Sequence, residues 1–341
     1  MRIAEIKDSI VKLAQIREPI ILEAGPGVGK TDTVIAAAKD IGHEVILYHP
    51  SVSDPTDYKG QPFAFQDQTG QAKARHLPYE DLESLITADK PTIAFFDDMG
   101  QATPATQAAI MQLFLQRQVA GHKISDHVWF MGATNRAEDK AGVGSLLEPL
   151  KGRSTILHLE PHIDDWCAWA YEQDWMPVSV PAFLRFKTEL LNAFKPSRDM
   201  KNTPTPRNWS RLAKKVSIDV TGMELLAGDV GDAAASEFLA FYRLMEKMPD
   251  PDECIKNPET APVPAADEVS VLYGLMGALA HRCDGKTIAG IKEYLDRVGA
   301  EFSVMCIKDA IVKHGDKAPF TKTKAFQEWA LKHQDVLGMY T

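Results

Sequence analysis

The segment Gly25-Pro26-Gly27-Val28-Gly29-Lys30-Thr31 constrains this chain more than any other. It follows the apolar run Pro19-Ile20-Ile21-Leu22 and precedes the helix-like run from Asp32 to Ala38. Strand, glycine loop and helix in that order is the setting in which a backbone can cradle phosphate. Glycines let consecutive N–H groups converge on phosphate oxygens without Cβ clashes. The positive end of the following helix adds to the attraction. The expected nucleotide-binding set is therefore Gly25, Pro26, Gly27, Val28, Gly29, Lys30, Thr31 and Asp32. Lys30 reaches the β- and γ-phosphates in this reading, and the Thr31 hydroxyl ligates Mg²⁺. Ala24 stands where the motif usually opens with glycine, which is acceptable if that residue keeps strand-like angles.

The remaining apolar runs fit the same architecture. Strands are expected at 19–24, 44–48, 92–97, 128–134 and 155–159, and helices at 3–16, 30–41, 79–88, 104–116 and 145–150. Such alternation predicts an α/β fold, a three-layer αβα P-loop core with a mostly parallel sheet. Ligands of such sheets bind at the carboxyl ends of the strands. Beyond residue 160 strand signals stop. The division expected is a nucleotide-binding core over 1–160, a helical lid over 161–248, and a proline-rich linker with a helical C-terminal region over 249–341. Five prolines between 249 and 266 read as loop, and 267–338 as helical.

Two further strand ends carry polar chemistry. Ile93-Ala94-Phe95-Phe96-Asp97-Asp98 is a buried strand tipped by two carboxylates. Asp97 is the expected Mg²⁺ partner, and Asp98 the group that orients or deprotonates the attacking water. Val128 to Arg136 is another buried strand, and Asn135 at its end either bonds the γ-phosphate, positions the water or caps a turn.

Together these segments resemble the AAA+ ATPases, and within them the MoxR branch and its dynein-related relatives. The similarity spans about residues 1–220 and extends to Asp57-Tyr58-Lys59-Gly60-Gln61-Pro62, a D-x-x-G segment, and to 117–127, a hairpin ahead of the sensor strand. Leu147 to Arg153 resembles the segment ending in an arginine finger, and Thr205-Pro206-Arg207-Asn208-Trp209 the sensor-2 segment of the lid. The resemblance implies that Arg153 acts on a neighbouring subunit's nucleotide and Arg207 on its own, with Arg136 and Lys151 as rivals for the finger role. It also implies ATP and Mg²⁺, a homo-oligomer in the form of a hexameric ring, chaperone-like remodelling of protein, and a partner with a von Willebrand factor A domain. Asp98 departs from the Glu usual there, which leaves a slowly hydrolysing, nucleotide-gated scaffold as an alternative.

Composition narrows the function classes. The chain has 341 residues, 45% apolar and 25% charged, with a formal net charge of −9. That balance speaks against nucleic acid as the partner, so a nucleic-acid motor or loader ranks behind protein remodelling. No apolar run reaches the ~18 residues of a membrane span. The mixed-charge N-terminus lacks a signal-peptide core, and a cytoplasmic location is expected. Cys167, Cys254, Cys283 and Cys306 match no metal spacing and read as buried free thiols. Trp166, Trp169 and Trp175 read as lid core. Within 55–75, Tyr58, Phe63 and Phe65 either grip a polypeptide at a ring's pore or pack beneath the loop.

Overall fold

The protein is described from a computed structural model covering residues 1–341 apart from 140–143, 145, 198, 316–317 and 335–341. Contacts divide it into two compact units, Met1–Pro161 and His162–Thr341.

The first unit follows from strands that are apolar on both faces. Its strands are β1 Ile20–Ala24, β2 Glu44–Tyr48, β3 Gln61–Gln66, β4 Ala72–Leu77, β5 Thr92–Phe96, β6 Gln118–Val119, β7 His122–Lys123, β8 Val128–Asn135 and β9 Thr155–His158. Its helices are α1 Ile3–Leu13, α2 Lys30–Asp40, α3 Glu80–Thr87, α4 Pro104–Gln116 and the single turn α5 Glu148–Lys151. Five strands form one parallel sheet in the order β2-β5-β8-β1-β9. Because side chains alternate along a strand, β5 sends Ile93 and Phe95 to one face and Ala94 and Phe96 to the other. The first pair joins a core with Ile6 and Ile10 of α1 and Val34, Ala37 and Ala38 of α2. The second pair joins Leu82 and Leu85 of α3 and Ala109, Ile110, Leu113 and Phe114 of α4. Helices thus cover both faces, as a parallel sheet requires. This is the three-layer P-loop core, and the glycine loop leaves its β1.

Ala24 lies within β1 and pairs with Asn135, so its extended conformation tolerates a Cβ. The helix expected at 145–150 is shorter and later, Glu148–Lys151, and residue 145 lies outside the described residues. Between β2 and α3 an antiparallel hairpin, β3–β4, appears where no strand was expected. Its alternation is masked in the sequence because nearly every side chain is exposed on both faces. At its base Gly60 takes φ 85°, and a Cβ there would lie 2.3 Å from the Leu77 carbonyl oxygen. Tyr58 packs in the core, its ring 6.1 Å from Tyr48 and 6.0 Å from Phe96, which settles that residue as packing. Phe63, by contrast, is 49% exposed.

The second unit is helical: α6 Ile163–Tyr171, α7 Ser179–Phe186, α8 Pro206–Val216, α9 Met223–Val230, α10 Asp232–Met245, α11 Pro251–Lys256, α12 Val269–Arg282, α13 Ile288–Leu295, α14 Ala300–His314 and α15 Lys324–Lys332. One apolar cluster draws on residues 166–241 and a second on 254–329. Trp166 is buried in the first, whereas Trp169 stays 37% exposed. The loop expected over 249–266 contains α11. Pro251 suits the first helical position, and Asp250 caps it by accepting from the Asp252 N–H at 2.9 Å. A buried network ties α6, α7 and α14 together: Arg185 pairs with Asp164 and Asp309, and Tyr171 Oη donates to Asp309 at 2.8 Å. All four cysteines are buried and unbridged. Among the described residues no helix is long and apolar enough to cross a membrane.

Candidate functional site

The loop after β1 is shaped by two left-handed glycines, Gly27 at φ 73° and Gly29 at φ 95°. A residue with Cβ is strained at such angles, and Gly29 is the residue from which α2 starts. Such turns at the start of a helix are the geometry in which loop N–H groups can converge on an anion at the helix's positive end. Val28 is buried among Val34, Ala37 and their neighbours, so it offers the site only its backbone. Asp32 is exposed in the first turn of α2, where a carboxylate favours the helix dipole.

Strand register then brings the polar residues together. Ala24 and Asn135 are partners at the ends of β1 and β8, and Asp97 continues β5 by donating its N–H to Tyr48 at 2.9 Å. Lys30 Nζ donates to Asn135 Oδ1 at 2.5 Å and to the Gly25 carbonyl at 3.2 Å. Asn135 Nδ2 in turn lies 3.5 Å from Asp98 Oδ1, and Gln101 Nε2 donates to that same oxygen at 3.0 Å. The other Asp98 oxygen carries no hydrogen bond among the described residues. Thr31 Oγ1 donates to Asp97 Oδ2 at 2.5 Å. One cation, Lys30, and two carboxylates, Asp97 and Asp98, thus meet with Thr31 and Asn135 from three separate strand ends. Of the expected residues of this unit, Gly25, Lys30, Thr31, Asp97, Asp98 and Asn135 are linked here, and Arg153 is not.

Asp98 has φ 56° and ψ 36°, the left-handed region that Asp tolerates better than most residues. The kink aims its carboxylate back across the strand tips toward Asn135. Beneath it, Met99 fills the space over Gly132 of β8, where a Cβ would come 2.1 Å from the Met99 sulfur. Gly132 is therefore what lets the turn after Asp98 seat itself.

The donor set suits a hard divalent cation. A hydroxyl and a carboxylate lie in contact, hard oxygen donors of the kind Mg²⁺ selects. Two residues were not anticipated. Gln101 holds Asp98 through its amide nitrogen while its buried Oε1 has no partner among the described residues. Asp139 Oδ2 is also buried with no partner among the described residues, 3.6 Å from where a Cβ on Gly25 would stand. Neither belongs to a motif; each could be found only by knowing which loops meet.

Arg153 is exposed, two residues ahead of Thr155, and Thr155 pairs with Ile20 at the start of β1. The arginine therefore sits at the opposite end of the sheet from its own loop, roughly 13 Å of strand away. Its side chain has no partner among the described residues. The rivals differ: Lys151 Nζ binds Glu148 at 2.7 Å, and Arg136 lies 3.6 Å from Glu138 at the loop's own end of the sheet. Arg207 belongs to the second unit. It is exposed in the first turn of α8, which Thr205 caps by accepting from the Asn208 N–H at 3.2 Å. The Trp166 indole anchors the same turn on the Pro206 carbonyl at 3.3 Å. A cation at a helix's positive end is electrostatically unfavourable, so helix stability does not account for it.

No protein-family model matches the chain. Among solved structures it is similar to a point mutant of RuvB from Thermotoga maritima, at 17% identity and a TM-score of 0.41, covering 86% of this chain and 87% of that one. It is likewise similar to the Thermotoga maritima RuvB Holliday junction branch migration motor, at 17% identity and a TM-score of 0.40, covering 87% of each. Likenesses this distant bear on neither activity nor partner.

Proposed function

We propose that this protein is a Mg²⁺-dependent ATPase of AAA+ type, of the MoxR branch, that works as a ring, most simply a hexamer, to remodel protein. The observation that carries the reading is the linked set Lys30–Asn135–Asp98 beside Thr31–Asp97, all at the carboxyl end of one parallel sheet. Thr31 and Asp97 would hold Mg²⁺, which on binding polarises the terminal phosphate. Lys30 supplies the loop's own cation to the β- and γ-phosphates. Asp98 uses its open oxygen to accept a hydrogen bond from water and take its proton, while Gln101 and Asn135 fix its other oxygen. Arg153 then serves a neighbouring subunit, because it sits at the far end of the sheet from its own loop and is not tied up as Lys151 is. Arg207 would read the nucleotide from the second unit. A partner with a von Willebrand factor A domain and a cytoplasmic location belong to the same reading.

The test is subunit mixing. Arg153→Ala subunits keep an intact loop but lack the finger; Lys30→Ala subunits keep the finger but lack the loop. Mixed rings should recover turnover at interfaces where both halves are intact. If each mutant assembles alone and the mixture stays inactive, Arg153 does not act in trans. The same assay with DNA added separates remodelling from nucleic-acid work. An acidic chain gains little from counterion release, so DNA should leave turnover unchanged.

A further inference from the structure

The hairpin β3–β4 pairs Gln61 with Leu77, Phe63 with Arg75 and Phe65 with Lys73. Directly opposed residues share a face and alternate with the other face. One face therefore gathers Phe63, Phe65, Lys73, Arg75 and Leu77, while the reverse carries only Pro62, Ala64, Ala72 and Ala74 with Gln66 and His76. The Arg75 guanidinium lies 5.2 Å above the Phe65 ring, which holds it flat against the sheet. Lys73 is bound to Asp67 at 2.6 Å, and this contact first, then the bonds from Thr69 and Gln71, holds that carboxylate well below its usual pKa. Arg75 has no carboxylate among the described residues. Between 59 and 77 three cations face one carboxylate, in a chain whose net charge is −9.

The two edges of the hairpin differ. The Asp67 N–H donates to Gln71 O at 3.0 Å, which sets the alternation so that Ala72, Ala74 and His76 turn their N–H and C=O groups outward. The outer edge of β3 is broken by Pro62, which has no N–H. The outer edge of β4 has no such block, and all six of its residues are exposed. An open edge is a template for another strand. A second copy of β4 is disfavoured, because it would set Lys73 and Arg75 against themselves.

We propose that β4 captures an extended acidic segment of a polypeptide as an added strand. Its backbone bonds Ala72, Ala74 and His76, and its carboxylates meet Lys73 and Arg75 on one face while the alternate apolar side chains lie beside Ala72 and Ala74 on the other. This deepens the remodelling reading and rests on it for the identity of the cargo, but peptide binding itself is measured apart from ATP turnover.

The experiment uses the full chain and three fluorescein-labelled probes: a peptide of alternating Glu and Val, its Lys–Val counterpart, and an oligothymidylate. Anisotropy should show the Glu–Val peptide bound in preference to both others. Ala74→Pro removes one outward N–H and leaves the hairpin's own bonds, and Arg75→Glu reverses the charge. Each should weaken Glu–Val binding by about tenfold or more, the loss expected of a charge-assisted or backbone contact. Arg75→Glu should also gain affinity for the Lys–Val peptide, a gain that a misfolded hairpin could not produce. Glu–Val binding that ignores both substitutions overturns the proposal. So does oligothymidylate binding that exceeds it and depends on Arg75 alone, which would make the face a nucleic-acid platform. Normal ATP turnover without peptide binding sinks this inference and leaves the ATPase reading intact. Peptide binding without turnover in any nucleotide does the reverse.

Discussion

The Lys30 ammonium donates to Asn135 Oδ1 at 2.5 Å, across 105 residues of sequence. The contact exists because Ala24 and Asn135 are register partners in adjacent parallel strands. It places the loop's cation one amide away from Asp98, so the group that binds phosphate and the group that handles water share a mechanical link.

Lys30→Ala removes the cation and should abolish tight nucleotide binding. Titration with a fluorescent ATP analogue reads this directly, and an unchanged affinity would remove the phosphate-loop assignment. Asn135→Ala should instead leave affinity near its starting value and lower turnover, because it cuts the link to Asp98 and spares the loop.

Asp98→Asn should keep nucleotide binding and assembly yet lower hydrolysis by about 10²–10⁴, the usual loss for a positioned general base. Asp98→Glu should lower it too. The backbone is left-handed here, which suits Asp better than Glu, and the longer arm must part from Gln101 or Asn135. Single-turnover assays on both variants decide the matter; faster hydrolysis by the Glu variant would show that Asp98 is a brake.

Gly132→Ala probes the seat of that turn. The new methyl meets Met99 and must push it, and the adjoining Asp98, out of place. Turnover should fall while nucleotide affinity holds. Pairing the change with Met99→Ala, which makes room, should return part of the loss, and no recovery would mean that the glycine matters for another reason.

The second unit carries its own test. Arg185→Met strands the buried Asp309, and breaking a buried pair in this way typically costs about 3–5 kcal/mol. Urea titration of the full chain should show the loss, and the double change Arg185→Met with Asp309→Leu should recover most of it. If the single substitution is neutral, the network is not a stabilising tie.

Burial pushes the Cys167 thiol up to about 12 from 9.0. The folded chain therefore keeps a proton that the unfolded chain releases as pH rises through 9.0. Folding stability from this group is complete below that pH and declines between it and the folded value. Thiol alkylation at pH 9 should accordingly track unfolding, and rapid labelling of Cys167 in the folded protein would contradict its burial.

Much of the site was legible from local chemistry. A glycine loop between strand and helix, acids at a buried strand tip and an asparagine ending another strand each have a meaning independent of the rest of the chain. So do apolar runs that belong in a parallel sheet, and these placed β1, β2, β5, β8 and β9. The sequence alone was silent where meaning depends on what lies opposite. Tyr58, Phe63 and Phe65 look alike in a row of residues, yet Tyr58 is core because Tyr48 and Phe96 surround it, while Phe63 faces water. Gln101 and Asp139 acquired interest only once their loops closed over the strand ends, and Gly132 only once Met99 came to rest on it. Periodicity and turn chemistry act within a few residues, so they are written in the sequence. Register, burial and the partner of a polar group are set by strands that meet across a hundred residues, and only the folded sheet decides them.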